Sequence, residues 1–128
     1  MSFLSALRKL LPSSFTADSL DALRAANPKA LLIDVREPQE FAEGHLQGSV
    51  LVPMGKIPHH AKAIADSGHP VVVICRSGAR ASSCAGVLRQ QGARDVHVLS
   101  GGVLGWQRAG RQVKTGSKSP GLFTLLKP

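Results

Sequence analysis

Short runs of branched apolar residues alternate along this chain with stretches in which apolar residues recur every three or four positions. The apolar runs predict buried β-strands, and the longer periodic stretches predict amphipathic helices. The predicted strands cover residues 14–17, 30–35, 49–52, 71–75 and 96–99, and the predicted helices cover residues 18–26, 37–43, 57–66, 79–91 and 103–109. Strands that alternate with helices in this way are typical of an α/β protein, whose parallel sheet is covered by helices on both faces.

Two segments lie outside this alternation, one at each end of the chain. Residues 1–13 predict an N-terminal amphipathic helix, because apolar residues recur at helical spacing before Pro12. This helix would pack on the domain, rest on a membrane surface or a partner, or act as an organelle transit segment. Residues 113–128 form a basic tail rich in Gly, Pro, Ser and Lys, which we expect to be extended or partly disordered, although its apolar residues within 122–126 could dock on the domain.

Length and charge narrow the class of protein. The 128 residues suffice for one domain with a core, and 43% of them are hydrophobic, as in soluble globular proteins. The net charge of +8 is uneven, because residues 18–95 carry only +1, residues 1–17 carry +2 and residues 96–128 carry +5. A nearly neutral body with basic ends indicates weak, salt-sensitive attraction to polyanions and not specific nucleic-acid recognition. With only two cysteines and no apolar run as long as a membrane span, the chain is predicted to be cytoplasmic.

The candidate chemistry lies where the predicted strand 71–75 ends. Cys75 closes this strand, a loop follows, and a helix begins near Ala79. The carboxyl ends of parallel strands hold the binding crevices of open α/β sheets. The helix N-terminus and the nearby cations Arg76 and Arg80 favour a thiolate over a thiol, so we expect Cys75 to be a nucleophile.

The loop after this cysteine predicts an anion site around the sulfur. Gly78 allows backbone conformations that turn N–H groups inward, and Arg76 and Arg80 could bind an anion through forked hydrogen bonds. Ser77 could orient a donor through its hydroxyl or cap the helix that follows. A nucleophile within a ring of donors suits transfer of a group that arrives as an anion, which fits both sulfur and phosphoryl transfer. The six-residue ring from Cys75 to Arg80 favours sulfur transfer, because a tetrahedral oxyanion needs a wider ring.

Several short blocks extend this pattern along the chain. In order they are Asp34-Val35-Arg36-Glu37, Glu40-Phe41, Gly44-His45-Leu46-Gln47-Gly48-Ser49, Cys75-Arg76-Ser77-Gly78-Ala79-Arg80, Gly101-Gly102 and Trp106. Together they closely resemble the single-domain rhodanese family over residues 14–112. The resemblance implies a three-layer α/β/α rhodanese-like fold with a five-stranded parallel sheet. It also implies thiosulfate sulfurtransferase activity through a persulfide on Cys75, with the persulfide and the donor anion held by backbone amides of residues 76–80.

The remaining candidates have a structural interpretation beside the functional one. Asp34 and Arg36 close a strand near the predicted crevice, and an ion pair that ties two loops together is favoured over contact with a substrate. His45 follows the glycine that ends a helix, and a loop-orienting hydrogen bond is favoured over base catalysis. Cys84 shares the apolar stripe of the helix 79–91, which favours a core residue over a resolving thiol.

We therefore predict a sulfurtransferase in which Cys75 takes sulfane sulfur from thiosulfate or another anionic donor. The acceptor would be cyanide, a thiol or a sulfur-carrier protein. No metal site is predicted, because the adjacent His59 and His60 point to different faces of a helix and no Cys or carboxylate lies at metal-ligand spacing. No cofactor is predicted either. Two other classes stay open. One is a persulfide carrier or binding module without efficient turnover, indicated by the two terminal segments outside the resemblance, and the other is a Cys-loop phosphatase or arsenate reductase, which the loop length disfavours.

Overall fold

The structure, a computed structural model, describes residues 14–126, so the helix predicted for residues 1–13 lies outside the described residues. Within this range helices and strands alternate. In chain order they are α1 (Ala17–Ala26), β1 (Leu31–Asp34), α2 (Pro38–Glu43), β2 (Val50–Leu51), a 3-10 helix (Met54–Lys56), α3 (Ile57–Asp66), β3 (Val71–Ile74), α4 (Ala79–Gln90), β4 (Val96–Val98), α5 (Gly102–Arg108) and α6 (Leu122–Leu125). None of the helices in this range is long and apolar enough to cross a membrane.

The strands form one parallel sheet in the order β2-β1-β3-β4. The two central strands, β1 and β3, are buried at every position and pair in register from Leu31 with Val71 to Asp34 with Ile74. Alternate residues of these strands belong to two different apolar clusters, as the two-residue period of a strand requires. One cluster includes residues of α3 and α4, and the other includes residues of α1 and α5. The molecule therefore has the three-layer α/β/α architecture that the sequence predicts.

The sheet has four strands over residues 14–126, not the five that the resemblance implies. The strand predicted for residues 14–17 is reduced to a single parallel bridge between Phe15 and Leu99. The reason is the N-cap of α1, because the Thr16 side chain accepts a hydrogen bond from the Ser19 N–H and the Ser19 hydroxyl accepts one from the Thr16 N–H. This capping box commits Ala17 to the helix, so the chain turns away from β4 before a ladder can form.

Beyond α5 the chain returns along the domain. The backbone of Lys114 pairs with that of His45 in an antiparallel bridge. The Leu51 N–H donates to the Ser119 hydroxyl oxygen at 2.8 Å. Leu122 of α6 is buried in the same apolar cluster as residues of α3 and α4. Residues 113–126 are thus bound to the domain by both backbone hydrogen bonds and apolar burial.

The start of α5 packs very closely against the end of β3. The Val103 N–H donates to the Cys75 carbonyl oxygen at 2.9 Å, and the Leu104 N–H donates to the Arg76 carbonyl oxygen at 3.1 Å. Gly102 permits this approach, because its φ is +57° and a Cβ atom there would lie 2.4 Å from the Cys75 carbonyl oxygen. α5 therefore holds the backbone at Cys75 in place, and this close approach is possible only because residue 102 is a glycine.

We expect Gly102→Ala to lower the free energy of unfolding by at least about 2 kcal/mol, because alanine there combines a left-handed backbone with a backbone clash. Gly86→Ala is the control. Gly86 lies inside α4 with no atom within 4 Å of its missing Cβ, so this variant should gain about 0.5–1 kcal/mol. Urea unfolding of both variants measures the difference, and equal stabilities would contradict the close approach.

Candidate active site

Cys75 follows the last residue of β3, at the carboxyl edge of the sheet. The residue is only 1% exposed and belongs to the same apolar cluster as residues of α3 and α4. The Gly78 N–H donates a hydrogen bond to the Cys75 Sγ at 2.9 Å. A hydrogen bond donated to sulfur stabilises the charged thiolate more than the neutral thiol. The sulfur therefore lies at the base of its loop, with one backbone amide directed at it.

The loop turns into α4 at Gly78. This glycine, with a φ of +125°, is the N-cap of the 12-residue helix, so the Ser77 hydroxyl does not cap it. The Ser82 hydroxyl donates to the Gly78 carbonyl oxygen at 3.0 Å and steadies the turn. Ser77 and Ala79 are exposed on either side of Gly78. The amino end of α4, with its partial positive charge, thus faces the loop that holds the sulfur.

The two arginines of the loop have different surroundings. The Arg80 guanidinium makes a forked pair with the Glu40 carboxylate, with two N–O distances of 2.7 Å. Arg76 is exposed, and within residues 14–126 its guanidinium has no hydrogen-bond partner. The sequence predicts that Arg76 and Arg80 both bind an anion, whereas in the structure Arg80 already pairs with the Glu40 carboxylate.

Glu40 is the site residue that the sequence reasoning did not single out. It lies in the first turn of α2, and its Oε1 also accepts the Glu37 N–H at 3.1 Å. The hydrogen bonds from Arg80 lower the pKa of Glu40 to about 2, and the carboxylate in turn raises the pKa of Arg80. The pair joins α2 to the start of α4 across 40 residues of sequence. The one sign of this pair in the sequence is that Glu40 belongs to the block Glu40-Phe41, which contributes to the resemblance to the rhodanese family.

Asp34, Arg36 and His45 are buried near the site and bound to structural partners. The Arg36 guanidinium donates to both Asp34 carboxylate oxygens and to the Gly44 carbonyl oxygen, the last at 2.7 Å. The His45 Nδ1–H donates to the Phe41 carbonyl oxygen at 2.8 Å, and the two rings stack with centroids 3.7 Å apart. These contacts connect the end of β1 to the loop after α2. Arg36 and Asp34 thus have the geometry of an ion pair that ties two loops together, and His45 has the geometry of a hydrogen bond that orients a loop.

The second cysteine, Cys84, lies in the core. It is 2% exposed on the inner face of α4, and burial raises the pKa of its thiol. A buried thiol with a raised pKa is a weak nucleophile at neutral pH. In the part of the chain that the structure describes, no group of three His, Cys, Asp or Glu side chains is arranged to hold a metal ion.

Two clefts flank the loop of residues 75–78 between β3 and α4, which we call the cysteine loop. The first, of about 400 Å³, lies on the Arg76 side, and residues of α2 and α5 form its other walls. The second, of about 580 Å³, lies on the side of Ser77 and Ala79 and is also lined by β4. Small molecules can therefore approach the loop from two sides.

Comparison with known proteins identifies the family of this chain. The profile of the Rhodanese-like domain matches residues 16–109, which is most of the chain. A protein of Allochromatium vinosum named sulfurtransferase is 37% identical over 94 residues, which cover 73% of this chain and 87% of that protein. The thiosulfate sulfurtransferase GlpE of Stutzerimonas stutzeri is 37% identical over 81 residues, which cover 63% of this chain and 73% of that protein.

Solved structures share the same fold. The rhodanese-related protein of Thermoplasma volcanium superposes with a TM-score of 0.69 at 26% identity, covering 80% of this chain and 98% of that one. A rhodanese with anions from E. coli superposes with a TM-score of 0.57 at 25% identity, covering 68% of this chain and 99% of that one. Because the family profile spans the sheet, the cysteine loop and α5 alike, the chain belongs to the family of rhodanese-like domains.

Proposed function

We propose that this protein is a sulfurtransferase whose nucleophile is the Cys75 thiolate. The observation that carries the proposal is the position of the Cys75 sulfur, which accepts the Gly78 N–H at the junction of a strand and a helix. Relatives at 37% identity that are named sulfurtransferases support the same reaction class. The free thiol that this chemistry needs fits the cytoplasm, the reducing compartment inferred from the cysteine count.

In the first half-reaction, the Cys75 thiolate attacks the outer, sulfane sulfur of thiosulfate or of another anionic donor. A new S–S bond forms, the S–S bond of the donor breaks, and its electron pair leaves with sulfite. A persulfide remains on Cys75, with its negative charge on the outer sulfur. Backbone amides of residues 76–80 stabilise that charge, and the Gly78 amide is the one already directed at the cysteine sulfur.

We assign the anion of the donor to Arg76 and a positioning role to Arg80. The exposed Arg76 guanidinium can bind a sulfonate-type anion without breaking an existing ion pair. Arg80 would first have to release Glu40, to which it makes two short hydrogen bonds. In this assignment Arg80 fixes the start of α4, and with it the cysteine loop, against α2.

In the second half-reaction, an acceptor attacks the outer sulfur of the persulfide, and Cys75 leaves as a thiolate. Cyanide would serve in an assay, and a thiol or a sulfur-carrier protein would serve in a cell. Because the remainder of the donor departs before the acceptor enters, steady-state plots at several acceptor concentrations should be parallel lines.

Thiosulfate should add one sulfur atom to the wild-type protein and none to Cys75→Ser, because only the Cys75 thiolate attacks the donor. The measurement is intact mass after incubation with thiosulfate and removal of the excess. Cys84→Ala is the matched control and should gain sulfur like the wild type, since Cys84 is buried and its thiol pKa is raised. Sulfur on Cys75→Ser, or none on the wild type, would refute the mechanism.

Arg76→Ala should slow persulfide formation from thiosulfate by about 10-fold or more, since a hydrogen bond to a charged group contributes roughly 1.5–3 kcal/mol. Its thermal stability should be unchanged, because Arg76 is exposed. Arg94→Ala removes an exposed cation just before β4, at the opposite end of the strands, and controls for net charge. If the two variants load sulfur at the same rate, the donor anion does not bind Arg76.

The Glu40–Arg80 pair should act as a unit in stability. Arg80→Ala and Glu40→Gln should each lower the free energy of unfolding, and the double variant should lose no more than the worse single variant. The folded pKa of Glu40 is lowered from 4.5 to about 2, so the stability it contributes is present above pH 4.5 and is lost as pH falls towards 2. The difference in unfolding free energy between wild type and Glu40→Gln, measured across this range, should shrink accordingly. Additive losses in the double variant would show that the pair is not coupled.

A further inference from the structure

The cleft on the Arg76 side of the loop holds polar groups that the sulfur-transfer step does not use. We call it the Arg76 cleft, and its polar lining consists of Arg36, Glu40, Glu43, Arg76 and Gln107. Arg36 and Glu40 already form ion pairs within the fold. Within residues 14–126, the side chains of Glu43, Arg76 and Gln107 make no hydrogen bond or ion pair. Three polar groups that line one cleft next to the cysteine loop are thus free to bind a ligand.

Glu43 and Arg76 carry opposite charges and Gln107 is neutral, which limits the ligands that the three groups can bind together. Glu43 ends α2, Arg76 follows β3 and Gln107 lies on α5, so three separate elements present them to the same space. Glu43 and Arg76 are both exposed and do not pair with each other. A ligand with one anionic and one cationic group can satisfy both at once, and Val103 and Leu104 supply an apolar wall for its carbon atoms.

We propose that the acceptor of the second half-reaction is a low-molecular-weight thiol that carries an α-amino acid group. Its carboxylate binds Arg76, its ammonium binds Glu43, and Gln107 hydrogen-bonds to either group. This proposal rests on the sulfurtransferase function proposed above. The same Arg76 guanidinium serves the anion of the donor and then the carboxylate of the acceptor, because the two are never bound together.

The transfer balances without a further reagent. The acceptor thiol, R–SH, gives its proton to the outer sulfur of the Cys75 persulfide anion, and the resulting thiolate, R–S⁻, attacks that sulfur. The bond of R–S–SH forms, the S–S bond on Cys75 breaks, and its electron pair stays on Cys75 as the thiolate. One S–S bond replaces another, so no external oxidant or reductant is consumed, and the product is an amino-acid hydropersulfide.

The test uses wild-type protein that has first been loaded with sulfur by thiosulfate and freed of excess donor. It is mixed with cysteine, which carries both charged groups, with cysteamine, which carries the ammonium only, with N-acetylcysteine, which carries the carboxylate only, or with 2-mercaptoethanol, which carries neither. Intact mass follows the loss of the added sulfur atom. Because thiols differ in intrinsic reactivity, the rate constant of each thiol is compared between protein variants and not between thiols.

Glu43→Gln should slow transfer to cysteine and cysteamine by about 3- to 10-fold relative to the other two thiols. Arg76→Gln, loaded to completion before mixing, should instead slow transfer to cysteine and N-acetylcysteine. Asp66→Asn on α3 makes the same change of net charge as Glu43→Gln, but outside the cleft, and should alter none of the four rates. Glutathione is tested as a fifth thiol, because the α-amino acid group can belong to a peptide or to a free amino acid. If Glu43→Gln slows transfer to glutathione but not to cysteine, the site binds a peptide thiol. If it slows transfer to cysteine but not to glutathione, the site binds the free amino acid.

Two failures are distinguishable in this design. If the wild type gains no sulfur from thiosulfate, the sulfurtransferase proposal fails and the acceptor proposal fails with it. If sulfur is gained but Glu43→Gln slows all thiols alike, or slows none of them, only the acceptor proposal is overturned.

Discussion

The contact of Gly102 with the carbonyl groups of Cys75 and Arg76 is the constraint on which the rest of the site depends. Both carbonyls accept hydrogen bonds from the first turn of α5, at 2.9 and 3.1 Å. In a trans peptide the carbonyl and the following N–H point in opposite directions. Anchoring these two carbonyls on α5 therefore turns the N–H groups of Arg76 and Ser77 away from that helix. The absence of a side chain at Gly102 thus sets the direction of the first two amides of the loop that follows Cys75.

Charge in and around this site is divided between pairs that build the fold and groups that remain free. Asp34 is fully buried and Arg36 nearly so, and a buried charge without a partner is costly, so these two must bind each other. Arg80 is only partly exposed and is held by Glu40 in the same way. Arg76 and Glu43 are exposed to solvent, so neither of them needs a partner within the fold. Burial therefore separates the charges that pair within the fold from the exposed charges to which we assign ligands, although all of them lie within a few residues of the cysteine loop or α2.

The sequence predicts the features of the fold that depend on local residue patterns. It does not predict the contacts that depend on residues far apart in the chain. The alternation of strands and helices, the buried strand before Cys75 and the helix after it follow from side-chain periodicity, and the structure reproduces them with boundaries shifted by a residue or so. The expected edge strand is wrong because the helix cap at Thr16 competes with pairing to β4. The partner of Arg80 lies 40 residues away, and no short-range pattern identifies it. Likewise, only the folded sheet shows that Leu122 reaches the core.

In the proposed reaction, the burial of Cys75 also determines which of the two persulfide sulfur atoms an acceptor can reach. The residue is 1% exposed, and its Sγ lies at the base of the loop beneath the Gly78 amide. In the proposed persulfide, the outer sulfur lies about 2.05 Å from the Cys75 Sγ, on the side of the loop opening. Attack on the outer sulfur transfers it and restores the cysteine, whereas attack on the inner sulfur would release hydrosulfide and leave a mixed disulfide. A deeply placed Sγ favours the first outcome on steric grounds alone, so the packing that buries Cys75 in the core also directs the proposed reaction towards transfer.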